Sequence, residues 1–272
     1  MLSTLVDKMN NTPWIVPPVK NVTLRKATRM GLVMASFPEV GGGFVRSYLE
    51  TYRYFTSRIY SDNATDNFTT GVANAFYSGG TNAMTIQAGI VQPPMYFPDG
   101  TAALNYGGLG QVIGHEIMHA YDVEGIMRDD ASRSAGFRTN ASTLVEYERK
   151  VLCLRKSYED YEKNARQLDD TIDSEGFADY SGLQLAYAAY RGLPASERDE
   201  RVPDVPLSAE KTFFVAHCLK WCDLIKKRSQ GSLYWAGRSR CIVPLQNMPE
   251  FAAAFGCRSG DLMNPPKRCD FW

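Results

Sequence analysis

Only three of the 272 residues are histidine, and no cysteine occurs before Cys153. An excess of either charge is missing too, because 30 basic and 30 acidic side chains cancel. A nucleic-acid binder needs a basic surplus to neutralise phosphates, so that class is disfavoured. No run of 18 apolar residues exists, so no segment reads as a membrane-spanning helix. The opening MLSTLVDKMNNTPW lacks the apolar core of a signal peptide. Repeats and low-complexity tracts are absent. Charged residues at 22% and hydrophobic ones at 44% are ordinary globular proportions, which excludes a disordered or collagenous chain. The length suits one large domain or two small ones, and suffices to bury a core without crosslinks.

What is present points to the secretory pathway. N-x-[ST] sequons occur at Asn10, Asn21, Asn63, Asn67 and Asn140, more than chance provides, and predict a glycoprotein. The six cysteines are Cys153, Cys218, Cys222, Cys241, Cys257 and Cys269. An even count with scattered spacing fits disulfides better than zinc. Cys218 and Cys222, with His217 beside them, would share a helix face, so a metal site there is conceivable; no CxxC pair supports it. A glycosylated, disulfide-bearing chain needs a targeting signal. The expectation is therefore that this chain is part of a longer extracellular protein.

Along the chain, WIVPPVKN breaks residues 1–37 into two polar, helix-compatible stretches. Residues 44–60 have helical spacing, and 61–71 read as loop. VANAFYSGGTNAMTIQAGIV predicts two short strands joined around Gly79 and Gly80. Residues 104–121 are mostly apolar and predict a buried helix. Thr143 and Glu146 have capping-box spacing and predict a long helix through about residue 165. A further helix is expected over 173–191, and another from Ser208 to about Lys227.

His115-Glu116-Ile117-Met118-His119 is an HExxH pentapeptide. On a helix, residues four apart share a face, so both imidazoles can reach one Zn²⁺. Glu116 lies beside them, where it can take a proton from a metal-activated water. Glu175 is the candidate third ligand. Asp179, four residues later, can accept an imidazole N–H and fix its tautomer, and Asp122 can do the same for the second histidine. The alternative is an accidental polar patch. The apolar neighbours oppose it, because burying two histidines and a glutamate without a function is costly. His217 reads as an ordinary helix histidine.

NAFYSGG, AGIVQPP, LNYGGLGQVIGHEIMHAYD, the E-G-F-A-D segment and the terminal CDFW occur in the order found in the neprilysin family. The sequence resembles the C-terminal catalytic part of those zinc endopeptidases, which include the endothelin-converting enzymes. The resemblance implies a mainly α fold with a small β-sheet, a gluzincin-type zinc peptidase domain whose N-terminal lobe is largely missing. It implies a remnant of the preceding helical region and linker over 1–71 and a catalytic domain over 72–272. One Zn²⁺ would be held by His115, His119 and Glu175, with Glu116 as general base and Asp179 as orienter. Asn74 and Ala75 match the strand that binds the substrate backbone. Ile90, Val112 and Trp221 match positions lining the pocket for the residue after the scissile bond, and Arg240 matches an active-site arginine. The implied partner is a peptide, and membrane attachment would come only through an N-terminal anchor upstream of this chain, as in type II membrane proteins.

The sequence also departs from the family. Counted back from LQN, the transition-state histidine falls within LYWAG, where no histidine stands; Tyr234 takes its place. Loss of one oxyanion donor typically costs about 10²–10³ in rate, which a tyrosine hydroxyl could offset. Cys153 and Cys269 match a family disulfide. Cys222 and Cys257 match positions whose partners lie upstream. Cys218 and Cys241 are additional and are expected to pair. Two readings result: an endopeptidase cutting on the amino side of hydrophobic residues, or an impaired relative that keeps zinc and binds peptides without efficient cleavage.

Overall fold

The structure, a computed structural model, describes residues 1–34, 73–133, 141–163, 169–222 and 234–272. The helical reading over 44–60, the loop over 61–71 and the sequons at Asn63, Asn67 and Asn140 lie outside the described residues.

Two helices open the chain, α1 (Leu2–Asn11) and α2 (Pro17–Thr28). Pro17 and Pro18 sit in the first turn of α2, where the missing N–H has no intrahelical partner to lose. Both helices bury apolar faces in the main core, through Leu5, Met9, Val19 and Ala27. Asn10 and Asn21 are exposed.

A three-stranded sheet follows. The expected hairpin is β2 (Ala75–Ser78) antiparallel to β3 (Ala83–Ile86), with Ala75 opposite Ile86. Asn82 closes the turn in the left-handed region at φ 50°, which asparagine tolerates well. A strand not anticipated from the sequence, β1 (Gly31–Met34), pairs in parallel with β3. Its GLVM has no alternation to mark it, and its partner lies some fifty residues on. The order is β1-β3-β2, so β2 is an edge strand among the described residues.

The apolar segment over 104–121 is not one α-helix. It comprises α3 (Ala102–Asn105), a π-helical turn over Tyr106–Gly110, and α4 (Gln111–His119). Two glycines in that turn, Gly107 and Gly108, let the backbone pack against the main chain of neighbouring segments at Phe213 and Met95. Single π turns of this kind concentrate at functional sites.

The long helix α5 (Ala141–Glu162) starts two residues before Thr143, so the expected capping box is not formed. Other contacts take both side chains, one tertiary and one within the helix. The Thr143 hydroxyl donates to the Trp14 carbonyl at 3.3 Å, and Glu146 pairs with Arg149. In α6 (Asp170–Arg191), Asp169 is the N-cap, accepting from Thr171 and Ile172. A short α7 (Ala195–Arg198) precedes α8 (Ala209–Leu219), which Ser208 caps as expected. That helix ends sooner than Lys227: the amides of Trp221 and Cys222 bond three residues back, to Cys218 and Leu219, and this tightening terminates it. Helices α9 (Gly237–Gln246) and α10 (Pro249–Phe255) complete the fold.

Helix α4 lies directly on α6. Gly114 and Gly182 face each other there, and a Cβ on Gly182 would sit 2.5 Å from the His115 nitrogen. The C-terminal tail is tied down by Phe271, which packs edge-on against Trp14 and Phe177, and by a Cys153–Cys269 disulfide with Cα atoms 5.8 Å apart.

Lys26 on α2 is almost fully buried. Its Nζ donates to the Gly125 carbonyl at 2.6 Å and the Arg128 carbonyl at 3.0 Å. Burial lowers its pKa from 10.5 to about 8. Lys26→Met leaves two carbonyls without that donor and is expected to cost about 1–3 kcal/mol. Between pH 8 and 10.5 the folded chain sheds the proton first. The unfolded chain then binds more protons, so this group's contribution to stability rises with pH. Denaturant titrations of both proteins at pH 7.5 and 10 should therefore show the gap widening at the higher pH.

Candidate metal centre and peptide cleft

The π turn delivers α4 into the floor of a cleft of about 530 Å³. His115 and His119 project from one face of α4, and Glu175 and Asp179 from one face of α6. The helices meet at glycines, so their side chains converge. His115 Nε2 lies 3.0 Å from His119 Nε2 and 3.2 Å from Glu175 Oε2; His119 Nε2 lies 3.7 Å from Glu175 Oε1. Ligand atoms at zinc bonding distance in a tetrahedron are separated by about 3.3 Å, so this triangle fits a single ion.

The outer nitrogens strengthen the case. His115 Nδ1 is 3.0 Å from Asp179 Oδ1, and His119 Nδ1 is 2.8 Å from Asp122 Oδ2. An N–H donated to each carboxylate leaves both Nε2 lone pairs aimed at a common point. Asp122 is itself fixed, because its Oδ1 accepts from the amides of Glu124 and Gly125. With only protons to fill the site, burial pushes the His115 pKa down, but bonds to Asp179 and Glu175 prevail and carry it up to about 10. A metal therefore competes with a proton there.

Arg240 on α9 balances the carboxylates. Its Nε donates to Asp179 Oδ2 at 2.6 Å, and its Nη2 to Asp179 Oδ1 at 2.8 Å and Glu175 Oε2 at 3.3 Å. Burial works against the ionised Asp179, yet the Arg240 charge holds its pKa well below the carboxylate range. Nη1 makes no hydrogen bond among the described residues. Glu116 is 5% exposed and lines the cleft; burial raises its pKa, towards the range useful to a general base.

The remaining candidates gather around this centre. Asn74 and Ala75 lie where the β2 edge borders the cleft, and Ile90, Val112, Trp221 and Tyr234 line its walls. Tyr234 is 46% exposed, with its ring 4.9 Å from the Arg240 guanidinium. The nearby charge of Glu175, more than burial, raises its pKa. Cys218 and Cys241 are bonded, Cα atoms 5.0 Å apart, linking α8 to α9 next to Arg240. Cys222 and Cys257 are free thiols. His217 is fully buried and takes no part in metal binding; its Nε2 faces the Cys241 carbonyl at 3.3 Å, and burial holds the ring neutral.

Sequence reading passed over Lys220 and Gln111, which also line the cleft. Adjacency to Trp221 and Val112 gave no signal, because neighbours in sequence do not share a helix face.

A helix-borne histidine pair completed by a carboxylate from a second helix, with a glutamate beside it, is the donor set of the HExxH metallopeptidases. The chain belongs to peptidase family M13, whose model matches residues 74–271. It is similar to neprilysin-2 of Caenorhabditis elegans, 34% identical over 210 residues, covering 74% of this chain and 28% of that protein. Endothelin-converting enzyme 1 of Homo sapiens is 32% identical over 213 residues, covering 76% and 28%. The fold resembles the zinc metalloprotease Zmp1 of Mycobacterium tuberculosis with TM-score 0.76 at 20% identity, over all of this chain and 45% of that one. The chain thus spans under a third of the curated relatives it matches.

Proposed function

We propose that the protein is a zinc-dependent endopeptidase that hydrolyses peptides on the amino side of residues seated in a largely apolar pocket. The observation that carries this reading is the convergence of His115, His119 and Glu175 beside Glu116, in a cleft bordered by the strand that is the sheet edge among the described residues. Zinc, when bound, would polarise the scissile carbonyl and acidify a water molecule. The β2 edge at Asn74 and Ala75 would receive the peptide as an added strand, which orients the carbonyl. Ile90, Val112 and Trp221 would hold the side chain that follows the cut. Glu116 would take the proton from the attacking water and return it to the leaving amine nitrogen. Arg240 and the Tyr234 hydroxyl would serve as donors to the oxyanion.

On this reading the catalytic domain would be 72–272, and 1–71 a remnant of the preceding helical region and linker. Two disulfides and exposed sequons at Asn10 and Asn21 support an extracellular location, either secreted or as a membrane-anchored ectodomain. The absence of a histidine in LYWAG favours a second reading, peptide binding without efficient cleavage.

Metal removal tests the proposal. Turnover of a quenched peptide with a hydrophobic residue after the cut should fall at least about 100-fold in a chelator and return with equimolar Zn²⁺ but not Mg²⁺. Cleavage indifferent to chelator would end the metallopeptidase reading. Zinc-dependent peptide binding without product would select the second one.

A further inference from the structure

The cleft contains a cation that the reaction does not use. Lys220 follows the last turn of α8 and lines the cleft beside Trp221. Its Nζ is 3.5 Å from His217 Nδ1 and 5.5 Å from the Trp221 ring centroid. Both neighbours are neutral. The Nε2–H of His217 donates to the Cys241 carbonyl, so Nδ1 offers Lys220 only a lone pair.

Arg240 makes the contrast. It stacks 4.3 Å over the same Trp221 ring, but its charge is matched by Asp179 and Glu175. Lys220 has no carboxylate within ion-pair reach among the described residues. Gln111, which also lines the cleft, donates its amide to the Asp179 main-chain carbonyl at 3.4 Å. Lys220 is partly buried, and burial, helped by the Arg240 charge and opposed by the more distant Asp179 carboxylate, lowers its pKa to about 7. A ligand carboxylate would supply the missing partner through a charge-assisted hydrogen bond.

We propose that Lys220 is a specificity-determining residue that makes the cleft select peptides presenting a carboxylate, with an apolar stem along Ile90, Val112 and Trp221 and an anionic tip at Nζ. This rests on the peptide-cleft reading above and adds to it: beyond hydrophobic residues, the pocket takes glutamate in preference to its neutral twin glutamine. A free peptide C-terminus presents the same chemistry, so the two sources must be separated. Protonated Lys220 is the reader, so the preference weakens as pH rises through neutrality.

The test is binding, with cleavage as a parallel readout. Zinc-loaded Glu116→Gln protein is titrated with fluorescent peptides carrying Glu, Gln or Leu at the pocket position, each with a free and an amidated C-terminus. The amidated Glu peptide should bind about 10-fold or more tighter than its Gln twin at pH 6. That ratio should shrink by pH 8.5 and collapse towards unity in the Glu116→Gln/Lys220→Met double variant. Equal affinity for the amidated Glu and Gln peptides in the Lys220-containing protein sinks the side-chain proposal, and this comparison needs no further variant. A preference present only with free C-termini, and lost with Lys220→Met, assigns the carboxylate to the chain end and overturns the side-chain assignment. Selective binding with no cleavage by wild type refutes the peptidase reading while leaving this one standing.

Discussion

Glu116→Gln should lower peptide turnover by about 10²–10⁴-fold while leaving zinc content at one ion per chain. The substitution keeps the shape of the side chain and removes only its capacity to hold a proton. Glu116 lines the cleft beside the two histidines, and burial has already raised its pKa. Glu175 and Asp179 are engaged with His115 and Arg240, and Asp122 with His119. Metal analysis alongside single-turnover kinetics checks the claim. Turnover within threefold of wild type, with zinc retained, would show that the proton moves elsewhere.

Gly182→Ala should destabilise the fold by about 3 kcal/mol or more, a fall in melting temperature of roughly 6–12 °C. The added Cβ would lie 2.5 Å from the His115 nitrogen, 2.7 Å from the Gly114 carbonyl carbon and 2.8 Å from the His115 Cα. Every one of those atoms is backbone, so no rotamer change relieves the clash. Helices α4 and α6 would have to separate, and they carry the metal ligands between them. Calorimetry reads the loss of stability, and chelator competition should read a weaker zinc site in the same protein. A melting temperature within 2 °C of wild type would mean that the two helices yield more easily than close packing allows.

The sequence disclosed this site unevenly. HExxH, the hairpin and the Ser208 cap are local patterns, in which neighbours a few residues apart decide the outcome, and their positions in the fold follow those patterns. Thr143 shows where local patterning fails: its spacing to Glu146 is right for a cap, but a contact with Trp14, 129 residues away, claims the hydroxyl. β1 is short and non-alternating, and only pairing with β3 makes it a strand. The twin roles of Arg240 depend on partners 61 and 65 residues away. Lys220 was invisible for the same reason: a lysine after a helix ordinarily meets solvent, and only the packing of α8 on α9 turns this one into the cleft. The family likeness supplied what spacing could not, placing Arg240 and Trp221 at the centre before any geometry was known.

Lys26 carries a consequence for where this protein can be cut. The match to the family begins at residue 74, yet a lysine on α2 grips the carbonyl of Gly125, whose amide holds Asp122 against His119. A protein trimmed to the matched region would keep every ligand and lose the hand that steadies one of them. Its minimal autonomous unit is therefore larger than its family signature. Expression of 74–272 alone should yield material that binds zinc more weakly, and adding residues 1–34 as a separate peptide is the direct route to restoring it.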